Sequence, residues 1–431
     1  MHRTDTRHAL AIGLVLALLP ESSLRASSPN KSEAALIAAA TGDMDAQSFR
    51  INLRAIETLG AMKSVKAVPA LIQAAFMRAK ATENKAILYR TTRLALARIG
   101  PAATPHLIKT LTGANTPLSS YARRHGIASW EISEGPETVQ LLTGTLDPRA
   151  LLPLVANLKT LSFPDKLSDI DRQRWITAQQ NRFTTLLLGL AGFSPQNAAI
   201  PQLAKIVADQ DADAVRQRLN AARILAYFGT PKAQDRLLDL WENDPMWMER
   251  KADMFRAALL IPLLEGLDHT RMKRFRALIA NPSPRVAAKL KEIQTKTYQT
   301  AIDTCKGNPG CWLSLTDTVP RLCGDKQGEA YYKCADTYRW LTLKACVMLM
   351  RANMGDPNVV SEAMLRRLLQ ARKGEVDFRR FTLIVLARRG TAKHGKKLLR
   401  MADKLDRSDV YWPDEFRAVG HALIHRGDSP K

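Results

Sequence analysis

Five cysteines, Cys305, Cys311, Cys323, Cys334 and Cys346, stand within 42 residues of a 431-residue chain that has no others. Thiols this crowded close disulfides, ligate a metal or carry redox chemistry. A structural zinc site needs Cys-x-x-Cys pairs or nearby histidines, and the segment has neither. Nothing in the sequence around them lowers a thiol pKa, which sets a reactive thiolate aside. Disulfides remain. The turn-rich loop Cys305-Lys-Gly-Asn-Pro-Gly-Cys311 suits a bridge between its ends, and Cys323 is expected to pair with Cys334. Cys346, in the helical run Arg339 to Asn353, is the expected odd thiol, buried.

Two further constellations resemble chemistry without completing it. Gly390-Thr-Ala-Lys-His-Gly-Lys-Lys397 comes within one residue of a phosphate-binding loop, and the run Phe381 to Ala387 before it could pass for a strand. The position that must offer magnesium a hydroxyl holds Lys397, and no later strand ends in Asp, so the stretch is read as structural. His421 and His425 are four apart and share a helix face, but a zinc protease needs Glu where Ala422 stands. Only adventitious nickel or zinc binding is expected of them. No Gly-x-Ser-x-Gly elbow is present, and spacing supports no Ser/His/Asp or Cys/His set. The chain is expected to be no enzyme, with no cofactor and no metal.

Charge offers a binding surface instead. The chain carries 64 Lys and Arg against 41 Asp and Glu, a formal +23, and a field of that size attracts polyanions. Residues 339–407 hold 17 Lys or Arg and 6 Asp or Glu. Within them Arg366, Arg367, Arg372, Lys373, Arg379, Arg380, Arg388, Arg389, Lys396, Lys397 and Arg400 recur at helical spacing. These are expected to form a basic ridge able to hold phosphates, carboxylates or an acidic partner. The competing reading makes them solvated outer helix faces. Trp241 and Trp247 flank a turn with two Met, either an adhesive tip or, preferred, a buried corner.

The elements that must carry these residues follow from composition and periodicity. Abundant Ala, Leu and Arg with few aromatics favour helix, and the length calls for several domains or one elongated array. Arg3 and Arg7 precede the apolar run Ala9 to Leu19, then Pro20 and a polar stretch to Ser28. This reads as a secretory signal over residues 1–28, cleaved after Ala26 or Ser28, with an uncleaved anchor as the alternative. No later stretch is long enough to span a bilayer; the best, Ala257 to Leu264, is interrupted by Pro262. Apolar-Gly steps recur from Gly60 to Gly100 (40), Gly100 to Gly135 (35), Gly192 to Gly229 (37), Gly229 to Gly266 (37) and Gly355 to Gly390 (35). Each Gly is expected just after a helix, in the left-handed conformation that other residues resist. The steps Val68-Pro69, Thr104-Pro105 and Ile200-Pro201 then open a second helix. The clearest unit is Asp213 to Gly229: Val215, Leu219, Ala222 and Leu225 share a face, with Arg216, Arg218 and Arg223 largely off it.

The Asp-x-Val-Arg, Ala-Ala and apolar-Gly pattern of that unit resembles HEAT repeats, particularly the short HEAT-like repeats of bacterial proteins. The resemblance covers most of residues 45–270 and again 335–405. It implies an all-α, right-handed α-solenoid of roughly seven to nine antiparallel helix pairs with a long concave surface. An irregular stretch is expected between Leu141 and Asn181. The expected organisation is a repeat array over 29–280, a Cys-rich connecting segment over 281–335 and basic repeats over 336–431. The functional expectation is a periplasmic or secreted scaffold that binds a protein or another extended partner. The alternative is a polyanion or nucleic-acid binder similar to the HEAT-like DNA glycosylases, which an export signal disfavours.

Overall fold

The computed structural model describes residues 32–42, 46–77, 82–133, 135–158, 168–191, 197–209, 215–228, 230–243, 250–267, 269–292, 303–305, 308–355, 357–370, 376–405 and 411–428. The expected signal segment, Arg372, Lys373, Gly192, Gly229 and Trp247 lie outside them. Every regular element among the described residues is helical, as the composition requires. The chain begins with α1 (Glu33–Ala40), α2 (Ala46–Ala61), α3 (Val68–Ala75), α4 (Thr82–Ile99), α5 (Thr104–Leu111), α6 (Thr116–Arg124), α7 (Ser129–Ser133) and α8 (Pro136–Thr143). It continues with α9 (Leu151–Ala156), α10 (Asp169–Ala191), α11 (Ile200–Val207), α12 (Val215–Phe228), α13 (Pro231–Glu242), α14 (Arg250–Gly266), α15 (His269–Leu278) and α16 (Pro284–Glu292). After the cysteine segment's α17 (Pro309–Leu315) and α18 (Thr318–Cys323) come α19 (Gly328–Gly355), α20 (Pro357–Gln370), α21 (Val376–Arg389), α22 (Ala392–Ala402) and α23 (Tyr411–Asp428). None of the described helices is long and apolar enough to cross a membrane.

Local chemistry explains the starts. Pro69, Pro105, Pro201 and Pro231 occupy the first turns of α3, α5, α11 and α13, where a missing N–H costs nothing. The Thr230 hydroxyl accepts from the Ala233 amide at 3.1 Å to cap α13, and Asn308 accepts from Gly310 and Cys311 to cap α17.

The glycines do something other than the spacing suggested. Gly100 has φ +78° and ends α4 as expected. Gly60 and Gly266, by contrast, belong to the last turns of α2 and α14. A Cβ on Gly60 would come within 2.6 Å of the Ala95 Cα, and one on Gly266 within 2.7 Å of the Ala226 Cβ. These glycines let neighbouring helix backbones touch. Gly135 stands before α8 at φ −70°, at a helix beginning.

Packing sorts the helices into two rows. In one row α2 meets α4, α8 meets α10, α10 meets α12, α12 meets α14, α14 meets α19, α19 meets α21, and α21 meets α23. In the other row α3 meets α5, α11 meets α13 and α13 meets α15. All of these contacts skip one helix except α14 with α19, which spans α15 to α18 and the cysteine segment. The row then does something an open array does not: α23, the end of the described chain, packs on α4 near its start. Tyr89 of α4 also donates its hydroxyl to Gln140 of α8 at 2.8 Å. The helices of the first row thus form a closed circuit, and α10 touches α21 across it.

Buried cations tie successive pairs. The last carbonyls of a helix have no partner within it. Arg182 of α10 supplies Nη1–H bonds to the Asn157 carbonyl (2.9 Å) and side chain (3.0 Å) behind α9. Arg218 of α12 reaches the Val207 carbonyl of α11, and Arg256 of α14 the Trp241 carbonyl of α13. Lys344 of α19, fully buried, donates to Leu264 at 2.6 Å and Leu267 at 2.8 Å at the end of α14. Arg426 of α23 caps α21 through Ala387 and Gly390. A cation at the negative end of a helix dipole keeps much of the stabilisation that it loses with water. Arg182, Arg218 and Arg256 are 36 and 38 residues apart, the interval of one helix pair.

Candidate functional site

The cysteines come together as expected. Cys305 and Cys311 form one disulfide pair, with Cα atoms 5.3 Å apart, and Cys323 and Cys334 another, at 5.8 Å. Cys346 is buried and belongs to neither. Trp241 is buried as well, edge-on to Phe275 at 5.3 Å.

The basic residues of the C-terminal helices divide three ways. Arg366, Lys396 and Arg400 are exposed on α20 and α22. Arg367 is half-buried, paired with Asp317 at 2.8 Å and stacked over Phe378, while Lys397 binds both Glu362 carboxyl oxygens at 2.8 Å. That lysine holds the Glu362 carboxyl below its usual range. Arg379 and Arg388 are buried and Arg380 half-buried; of Arg389 only the backbone is described. A continuous solvent-facing ridge of all these residues is therefore not formed: helical spacing places Arg379 and Arg388 among the core residues of α21. The loop-like stretch after Gly390 is a helix start, with the Thr391 amide donating to His394 Nδ1 at 3.0 Å, and Phe381 to Ala387 lie in α21.

The most developed surface lies where the circuit closes, and charge spacing on the two helices was its one sequence signal. Arg90 of α4 meets Asp414 of α23 at 2.5 Å. Arg93 grips Glu415 with both terminal nitrogens, at 2.6 and 2.8 Å, and Gln140 reaches the same carboxylate at 3.3 Å. Farther along, His425 Nε2 donates to the Arg98 carbonyl at 2.5 Å, and its ring fills the space that a side chain on Gly100 would need. Arg98 with Arg90 and His425 with Asp414 follow in the same order, so α4 and α23 run the same way.

Beside this seam α2 and α4 bound an open cleft of about 470 Å³, lined by Glu57, Thr58, Ala61, Thr91, Leu94 and Arg98. His421 lies on α23, the helix that packs against α4. Burial, then the charges of Arg98, His425, Lys63 and Arg417, push the His421 pKa down to about 4, so the imidazole is neutral at pH 7. His425, the other member of the pair expected at most to hold an adventitious metal, has its Nε2 on the Arg98 carbonyl. Among the described residues no three His, Cys, Asp or Glu converge as metal ligands.

Comparison of the chain with family models, curated proteins and solved structures finds no match.

Proposed function

We propose that the protein is a non-enzymatic, exported scaffold of HEAT-like repeats that binds a protein partner through the surfaces of its stacked helices. The observation that carries this reading is the recurrence of one capping device, Arg182, Arg218 and Arg256, at the interval of a helix pair. A chain that repeats a packing unit builds surface in proportion to its length, which suits extended recognition. The two disulfide pairs agree with passage into an oxidising compartment.

The exposed cations Arg366, Lys396 and Arg400 nominate α20 and α22 as part of the contact surface. The test is affinity capture from envelope extract with the wild-type protein and with Arg366→Glu/Lys396→Glu/Arg400→Glu. Loss of a partner that the wild type retains supports the reading; identical capture by both removes these residues from it. Binding to duplex DNA that persists at about 200 mM salt would instead promote the polyanion reading, because phosphate-driven affinity falls steeply with ionic strength.

A further inference from the structure

Packing leaves one member of the first row with a free side. Among the described residues α2 stands at the end of that row: it packs on α4, and the closest approach falls at Gly60, against Ala95. The end helix of an array meets water where the others meet a neighbour, and an array that stays soluble covers that side with polar residues. On α2 it is apolar. Met62 follows the last residue of the helix and continues its turn, with its amide on the Thr58 carbonyl at 2.9 Å. A helix turns about 100° per residue, which puts Ile51 and Met62 within about 20° of each other and about 160–180° from Gly60. Ile51 (48%), Met62 (53%) and Val65 (52%), in the turn beyond, are all half exposed.

The flank of this face carries Arg54 and Glu57, both exposed and neither in an ion pair with a described residue. Their order along the helix decides what can cover it. In a twofold pair of parallel helices Arg54 would meet Arg54, and Glu57 would meet Glu57. In an antiparallel pair centred near Ile56 and Glu57, Ile51 of each copy meets Met62 of the other, and Arg54 of each meets Glu57 of the other.

We infer that α2 is a self-association surface on which a second copy of this chain packs its own α2 antiparallel, with apolar contacts at both ends and paired charges between them. One register satisfies the apolar side chains and the charges together, which singles out a second copy as the occupant. The paired stretch from Ile51 to Met62 is about 17 Å long. A contact of that size is small, so the dimer exchanges with monomer at micromolar concentration. The surface lies apart from α20 and α22 and does not depend on the partner-binding reading above.

Sedimentation velocity of the full chain tests this over about 1–200 µM, where so small an interface should associate. The wild type should shift from monomer to dimer across that range. Ile51→Glu/Met62→Glu, at exposed positions, should remain monomeric with an unchanged circular dichroism spectrum. Arg54→Glu and Glu57→Arg should each weaken association at least about tenfold, because each sets like charges opposite one another. An equimolar mixture of those two variants should associate again, since the charges of one then oppose those of the other; a merely structural effect of either substitution would not be rescued in this way. A wild type that stays monomeric throughout, association that Ile51→Glu/Met62→Glu leaves undiminished, or charge variants that fail to associate when mixed would each overturn the proposal.

Discussion

Arg218 donates its Nε–H to the Val207 carbonyl across 2.6 Å while its guanidinium lies 4.2 Å from the centre of the Phe255 ring. A residue of α12 thereby joins the end of α11 to the face of α14, binding three helices with one buried cation. Arg218→Met keeps the aliphatic packing and deletes the donor, leaving a buried carbonyl unsatisfied. The expected cost is about 1–3 kcal/mol, and Arg218→Ala, which also leaves a cavity, should cost more. Chemical denaturation followed by circular dichroism checks the order; equal stability of Arg218→Met and wild type would deny the cap any energetic role.

The seam between α4 and α23 is held by the Arg93–Glu415 pair, whose side chains retain 11% and 15% of their exposure. Charges so enclosed are costly when left alone, so Arg93→Met or Glu415→Gln should each destabilise by about 3 kcal/mol. The double variant should lose less than the sum. Hydrogen exchange localises the effect: amides of α23 should exchange faster in the single variants, with α11 to α13 unchanged. Additive losses would mean that the two side chains do not act as a pair.

Acid should weaken the same region through His421. Its folded-state pKa of about 4 lies below the ordinary value of 6.5, so the unfolded chain binds the proton first. The resulting stability is fully present above about pH 6.5, declines as pH falls, and is gone below about pH 4. Partial solvent access reduces the span to about 2 kcal/mol. His421→Leu should flatten this part of the stability–pH profile; a profile unchanged by that substitution would count against a buried, neutral imidazole.

Reduction should loosen the cysteine segment locally. Cys305–Cys311 closes a loop with a sequence separation of 6 and Cys323–Cys334 one of 11, which in the loop-entropy view stabilise by about 2–3 kcal/mol each. Paired alanine substitution at either bridge should speed exchange in α17 and α18 and leave the α4–α23 seam as it was. Mass spectrometry without reductant should find both bridges and an alkylatable Cys346 only after unfolding.

Helix content, the starts at Pro69, Pro105 and Pro201, and both cysteine pairings are local matters, and residue order alone determined them. Capping, proline geometry and short loop closure act over a few residues, so their signals survive in one dimension. The destinations of the cations did not. Arg218 looks like a surface residue beside Val215, Leu219 and Leu225, and Arg379 and Arg388 look like members of a ridge, because periodicity assigns charge to water. Only the tertiary structure supplies helix C-termini that replace that water. The closure of the circuit was equally hidden: Arg93 and Glu415 stand 322 residues apart, and their complementarity exists only when packing lays α23 against α4. Short-range propensity is written along the chain, whereas charge compensation depends on which carbonyls and carboxylates the fold brings within reach.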